Sequence, residues 1–356
     1  MSADGLGAVV TGAGHGIGRV AAVPGLDLSR LEDYLARQVP HLVDGPLRAE
    51  LLTGGKSNLT YAVECGPRRF VLRRPPLGHV LQTAHDMTRE HRVISALADS
   101  DVPVPRTYAL CEDPEVIGAP FYVMEYVPGT AYRSDDALRR LGPDRTRAIS
   151  RRVVQTLADL HAVDPGDVGL ADFGRPDGFL ARQVRRWRTQ LEASRSRDLA
   201  GAQALVDALA RTVPPQQPPA IVHGDYRVDN VLVDGADRVA AVLDWEMATL
   251  GDPLTDVALM VLYGELPAIG ARIVGPTAAP GLLRGEELIE EYCSCGGRPL
   301  GQMGFYVGLA AYKLAVIVEG IHYRHLRCET AGEGFEGIGD AVEPLLAFGL
   351  RATEEY

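Results

Sequence analysis

The chain has 356 residues, 46% hydrophobic and 23% charged, enough length and apolar content for one large domain or two lobes around a real core. Its formal net charge of −11 argues against nucleic acid, because neutralising phosphates needs a basic face. Five cysteines in this length make no disulfide framework, and no run of ~18 uninterrupted apolar residues offers a membrane span. With no basic-then-apolar leader at the N-terminus, a cytoplasmic location is the expectation.

Ala8-Val9-Val10-Thr11-Gly12-Ala13-Gly14-His15-Gly16-Ile17-Gly18-Arg19 resembles the start of a short-chain dehydrogenase. That fingerprint needs a βαβ unit of about thirty residues and an acidic ribose ligand about twenty residues on. Pro24-Gly25 cuts the helix short, and Arg37-Gln38-Val39-Pro40 stands where the acid belongs. The dehydrogenase tyrosine four residues before a lysine is also missing: Leu52 and Leu309 precede the two lysines, Lys56 and Lys313. Residues 1–22 are therefore expected to be a mobile remnant with no dinucleotide site.

Ser29 followed by Glu32 reads as a capping box opening a helix that ends before Pro40. A strand is expected from Leu47 to Leu52. Thr53-Gly54-Gly55-Lys56-Ser57-Asn58-Leu59-Thr60 then leads into a second strand-like segment, Tyr61-Ala62-Val63. A P-loop is disfavoured, since Glu50 occupies its first glycine position and a strand follows rather than a helix. These residues are equally compatible with a hairpin whose N–H groups close over phosphates and with an ordinary turn. Phe70 to Arg74 reads as a third strand, with Arg74 at the surface. Asp86 to Leu97 reads as a helix carrying Glu90, and Phe121 to Gly129 as a strand and turn.

Leu141 to Val163 carries a long helical pattern. After a proline-rich loop, Ile221-Val222 enters His223-Gly224-Asp225-Tyr226-Arg227-Val228-Asp229-Asn230. The apolar run Val239 to Leu243 then ends in Asp244-Trp245-Glu246. These residue types suit phosphoryl transfer. Asp225 can take a hydroxyl proton, and Asn230 and Asp244 can hold Mg²⁺ with oxygen ligands. Gly304 to Arg324 is an apolar helix in which Lys313 and Arg324 are either anion contacts or surface charges. His322, His325 and Cys328 recur every three residues, but a structural metal site closes four ligands, so packing near a helix end is the simpler reading.

The H-G-D-x-x-x-x-N and L-D-W-E pair resembles the aminoglycoside phosphotransferase family, and within it the phosphotransferase domains fused to acyl-CoA dehydrogenases. The resemblance runs from about Leu47 to the C-terminus. It implies an α+β, two-lobed protein-kinase-like fold with a small antiparallel-sheet N-terminal lobe (23–127) and a mainly helical C-terminal lobe (128–356). It implies ATP and Mg²⁺ as cofactors and a small-molecule hydroxyl as acceptor. Asp225 would be the base, and Asn230 and Asp244 the metal ligands. The nucleotide would meet Gly54, Gly55, Ser57 and Asn58, the cation Arg73 oriented by Glu90, and the backbone of Glu125 to Val127 at the adenine edge. Arg73 departs from the general kinase pattern, which has lysine there. In this likeness Asp256 braces the catalytic region, while by itself it reads equally as an acidic residue at the start of a helix. A hydroxyacyl thioester is the leading expected acceptor. An aminoglycoside and a non-catalytic, pseudokinase-like nucleotide-binding module are the alternatives, and oligomeric state is not readable from the sequence.

Overall fold

The computed structural model describes residues 23–52, 58–77, 86–271, 275–327 and 336–355. The expectations for residues 1–22, and for Gly54, Gly55, Lys56, Ser57 and Cys328, lie outside them.

The N-terminal lobe opens with α1 (Leu28–Gln38) and strands β1 (Leu47–Leu51), β2 (Leu59–Cys65) and β3 (Arg68–Arg74). Helix α2 (Met87–Ala96), β4 (Thr107–Cys111) and β5 (Phe121–Glu125) complete it. The five strands form one antiparallel sheet in the order β1-β2-β3-β5-β4. Side chains alternate across it as a pleated strand requires. Tyr61, Val63, Phe70, Leu72, Phe121 and Val123 pack with Leu31 and Leu35 of α1. Val71, Tyr122 and Met124 on the other face join α2 and the core of the second lobe.

Two local expectations change. The cap of α1 is Asp27, whose carboxylate accepts the N–H groups of Ser29 and Arg30, so the helix starts before the Ser29 capping box. Arg74 is buried, because its guanidinium donates to the carbonyls of Gly25, Pro75 and Ile117 and so satisfies backbone acceptors inside the lobe.

The second lobe holds α3 (Asp135–Arg139), α4 (Pro143–Ala162), α5 (Phe179–Ser194) and α6 (Ala202–Arg211). Then come β6 (Ala220–Val222), β7 (Val231–Val233), β8 (Val239–Val242) and β9 (Thr249–Gly251). Four helices follow, α7 (Leu254–Glu265), α8 (Gly285–Ser294), α9 (Met303–Leu326) and α10 (Val342–Glu355). The helix expected from Leu141 begins at Pro143, since Gly142 sits at φ +83 and Pro143 is pre-set for the first helical turn. Two-stranded ribbons β6-β9 and β7-β8 flank the segments that hold Asp225, Asn230 and Asp244.

Helix α9 has the length and apolarity of a membrane span, yet 83% of its most apolar window is buried inside the protein. It packs against α5, α6, α7 and α10 as the central helix of the lobe. Among the described residues no cluster of three His, Cys, Asp or Glu side chains could hold a metal.

Candidate active site

Asp225 follows β6 on a turn that only glycine permits. Gly224 has φ +84, and a Cβ there would stand 2.7 Å from the Met247 carbonyl oxygen. Two buried carboxylate oxygens hold this turn. Asp256, at the start of α7, accepts the N–H of His223 at 2.7 Å and of Gly224 at 2.8 Å. Burial pushes Asp256 upward in pKa, but the His161 hydrogen bond and the nearby His223 and Gly224 outweigh it, and the carboxyl is held below its ordinary value.

His161 reaches Asp256 through Nε2 at 3.4 Å. Its Nδ1 lies 2.9 Å from the Tyr292 hydroxyl, which in turn accepts the Arg298 N–H. With Asp256 ionised, His161 donates from Nε2. In the neutral imidazole Nδ1 then accepts from Tyr292. A relay from α8 through α4 to α7 therefore fixes the catalytic turn. The sequence offered no signal for the α8 end of it.

His223 joins the two halves of the site. Its Nδ1 accepts the N–H of Asp225 at 3.2 Å, and its Nε2 donates to the carbonyl of Leu243 at 2.9 Å. The Leu243 N–H donates to the Asn230 carbonyl at 2.8 Å. Leu243, the residue before Asp244, is thus tied to both catalytic segments. Both ring nitrogens of His223 are committed to holding them.

Asn230 closes a 3₁₀ turn, Val228–Asn230. Its amide nitrogen donates to the Asp225 carbonyl at 2.8 Å and to Asp225 Oδ2 at 3.1 Å. A carbonyl can only accept, so the amide orientation is fixed and Asn230 Oδ1 is left for a ligand. Asp244 sits at φ 66 and ψ 59, a left-handed conformation unusual for a side-chain-bearing residue and a frequent mark of functional sites. Asn230 Oδ1 and the Asp244 carboxylate form an all-oxygen donor set, which fits a hard divalent cation such as Mg²⁺.

Burial pushes the Asp225 carboxyl above its ordinary value against the pull of Arg227, Lys313 and His223, and Asp244 adds to the rise. Asp229, adjacent in sequence, is turned away into a bidentate ion pair with Arg227.

Arg73 on β3 links the lobes. Its Nε donates to Glu90 of α2 at 3.1 Å, and its Nη2 donates to Asp244 Oδ1 at 2.5 Å, with Glu246 Oε2 at 4.0 Å. Burial opposes the cation, but the carboxylates of Glu90, Asp244 and Glu246 hold it protonated. Asn58, buried just before β2, donates to Glu246 Oε2 at 3.1 Å. Arg89 fixes α2 to the second lobe by donating to the carbonyls of Phe173 and Ala248.

Arg73, Glu90, Asn58 and Asp244 therefore meet in one cluster, and Asp225 and Asn230 form a second pair tied to it through Leu243. Glu125 and Val127 lie apart, at the end of β5. The Glu125 N–H is already given to the Arg106 carbonyl at 2.7 Å, so it is not the donor to an adenine edge; a contact there would use its carbonyl. Val127 N–H has no backbone partner among the described residues.

Beside the catalytic turn is a cavity of about 920 Å³, lined by Gly224, Glu246, Asp256 and side chains of α5, α7 and α9. Its wall carries six cationic side chains against three carboxylates. Of these carboxylates, Asp256 is spent on the catalytic turn and Asp86 caps α2. Lys313 lines it; Arg324 is exposed and is not part of its wall.

Residues 48–292 match the profile of the phosphotransferase enzyme family. The chain is 35% identical over 334 residues to acyl-CoA dehydrogenase family member 10 of Mus musculus, covering 92% of this chain and 31% of that protein. It is 34% identical over 339 residues to acyl-CoA dehydrogenase family member 11 of Homo sapiens, covering 92% and 43%. The chain thus spans less than half the length of these relatives. A crystal structure of a Ralstonia eutropha JMP134 protein assigned by name to the aminoglycoside phosphotransferases superposes with a TM-score of 0.80 at 32% identity, covering 92% of this chain and 98% of that one. The two-lobed fold is also that of an aminoglycoside phosphotransferase solved with AMP-PNP and hygromycin B, at a TM-score of 0.59 and 15% identity. With its profile match and its relatives at 32–35% identity, this chain belongs to the phosphotransferase enzyme family and carries the kinase-like fold of phosphotransferases that act on alcohol groups.

Proposed function

We propose that the protein transfers the γ-phosphoryl group of ATP, with Mg²⁺, to a hydroxyl of an anionic small molecule, with a hydroxyacyl thioester as the acceptor class. The cationic cavity beside Asp225 is the observation that carries the choice of acceptor. Arg89, Arg175, Arg182, Arg185 and Arg186 stand around it, and none of them makes a salt bridge among the described residues. Such a wall attracts phosphate or carboxylate groups and repels a polyamine drug. The long relatives, named as acyl-CoA dehydrogenases, point to the same acyl chemistry.

In this reading Asp225 accepts the proton of the acceptor hydroxyl as its oxygen bonds the γ-phosphorus and the bond to the bridging oxygen of ADP breaks. Arg73, held in place by Glu90, neutralises phosphate charge. Asn230 and Asp244 would hold Mg²⁺, which supplies charge neutralisation at the phosphates. His223 and Asp256 keep Asp225 in position, and positioning matters more than basicity for a loose transition state.

The test is Mg²⁺-dependent ADP release from ATP in the presence of hydroxyacyl-CoAs, aminoglycosides, choline-like alcohols and sugars. Stimulation by the hydroxyacyl-CoAs is expected. Stimulation by an aminoglycoside alone would reject the acceptor class, and absence of ATP·Mg²⁺ binding would reject the kinase.

A further inference from the structure

Lys313 is one of two lysines in the chain, and it lies in the middle of the apolar helix α9. Its ammonium donates to the carbonyl oxygen of Gly224 at 2.5 Å and stands 5.8 Å above the Trp187 ring. An ammonium carries three N–H donors, and the Gly224 carbonyl is the one hydrogen-bond acceptor that Lys313 has among the described residues. The side chain is part-buried, so its other two donors call for acceptors from solvent or from a ligand. The wall of the acceptor cavity, which Lys313 forms together with Gly224, is where those acceptors can come from.

The placement is selective. The Gly224 carbonyl belongs to the peptide that leads into Asp225, so an oxygen bound by Lys313 is held beside the turn that carries Asp225. A compact ammonium takes a single oxygen, unlike the planar fork of the arginines elsewhere on the wall. Burial lowers the Lys313 pKa, and the Asp225 and Asp256 carboxylates counteract this by favouring the charged form.

Resting on the kinase reading, we infer that Lys313 is a specificity-determining residue, binding the acyl carbonyl or carboxylate oxygen of the acceptor and rejecting acceptors that present an amine there. The alternative is that Lys313 is only a strut under the Gly224 carbonyl.

Two measurements separate these. The first uses the intact wild-type protein with ¹⁵N at the lysine side chains, which gives two ammonium signals; a Lys313→Arg variant assigns them. A hydroxyacyl-pantetheine thioester, added without nucleotide, is expected to shift the Lys313 signal. The thioether analogue, with CH₂ in place of the carbonyl, is not. Equal shifts with both compounds, or none, overturn the inference.

The second compares kcat/KM for thioester and thioether. Lys313→Met should lose about tenfold to a hundredfold on the thioester, the worth of one hydrogen bond to a charged group, and bring the thioester-to-thioether ratio near one. Lys313→Arg should restore part of that ratio. A strut predicts an equal loss on both compounds and an unchanged ratio, which would also overturn the inference. If the Lys313 signal shifts selectively while no compound is phosphorylated, the kinase reading fails and the oxygen-binding role stands. If the thioester is phosphorylated without that shift, the kinase stands and the role of Lys313 fails.

Discussion

Arg73 Nη2 lies 2.5 Å from Asp244 Oδ1, so the β3 cation is in direct contact with the carboxylate assigned to the metal, 171 residues away in sequence. The same guanidinium holds Glu90 through Nε. One planar fork therefore spans α2, β3 and the segment after β8. A lysine has a single point of charge and cannot keep the two carboxylates apart in this way.

Arg73→Met should destabilise the protein by about 3–5 kcal/mol, because Glu90 is left as an uncompensated charge in the interior. Adding Glu90→Gln should recover a large part of that loss. The check is chemical denaturation of the two single variants and the double variant. Strictly additive losses would mean that the pair is not coupled.

Asp225→Asn should cut turnover by about 10²–10⁴-fold while nucleotide affinity by calorimetry stays near that of the wild type. The amide keeps the shape of the side chain, and Asn230 can still donate to its oxygen. Wild-type turnover in this variant would remove Asp225 from the role of base.

Asp244→Ala should abolish the Mg²⁺ dependence of nucleotide binding, measured by titration with and without the cation. It also frees Arg73 from one carboxylate, so metal-free nucleotide affinity should hold or rise. Unchanged Mg²⁺ dependence would place the cation elsewhere.

What could be read from the sequence was what is close in sequence. Asp225 and Asn230 stand five residues apart, and a single 3₁₀ turn brings the amide back onto the carboxylate. The strand expectations at Leu47 to Leu52, Tyr61-Ala62-Val63, Phe70 to Arg74 and Phe121 to Gly129 rested on short local runs and fall on β1, β2, β3 and β5. Contacts made by long side chains across the fold were not legible. Arg74 read as a surface charge because its partners, the carbonyls of Gly25 and Ile117, are backbone atoms that no residue type reveals. The Glu125 N–H could not be seen to be taken by Arg106 before the β4-β5 pairing was known. The Tyr292–His161–Asp256 relay joins three helices whose order in space is a property of the packed lobe.

Gly224→Ala should lose activity and stability together. The backbone there is left-handed, and the added methyl would stand 2.7 Å from the Met247 carbonyl oxygen and 2.9 Å from the Met247 Cβ. Backbone on both sides is pinned by Asp256 and His223, so relief requires moving the catalytic turn itself. A thermal melt and a turnover assay on the same preparation suffice. A fully active variant would show that the turn relaxes without cost.

The acid limb of stability should depend on Asp256. Burial alone would raise its carboxyl, but the His161 hydrogen bond, the nearby His161 and His223 rings and the Gly224 N–H hold the folded-state pKa below the ordinary value of 3.8. A carboxyl depressed on folding stabilises the protein above its unfolded pKa, and that contribution disappears as pH falls through the folded value. Wild-type stability should therefore drop as pH is lowered below 3.8, with the catalytic turn released as Asp256 is protonated. Asp256→Asn should be less stable at neutral pH, since a neutral amide accepts the two N–H bonds less strongly than a carboxylate and places an NH₂ group against donors. Its stability should also fall less steeply over the same acid range. Urea unfolding of both proteins from pH 7 to pH 3 reads this directly: parallel curves would show that other carboxyls set the acid limb, and converging curves assign it to Asp256.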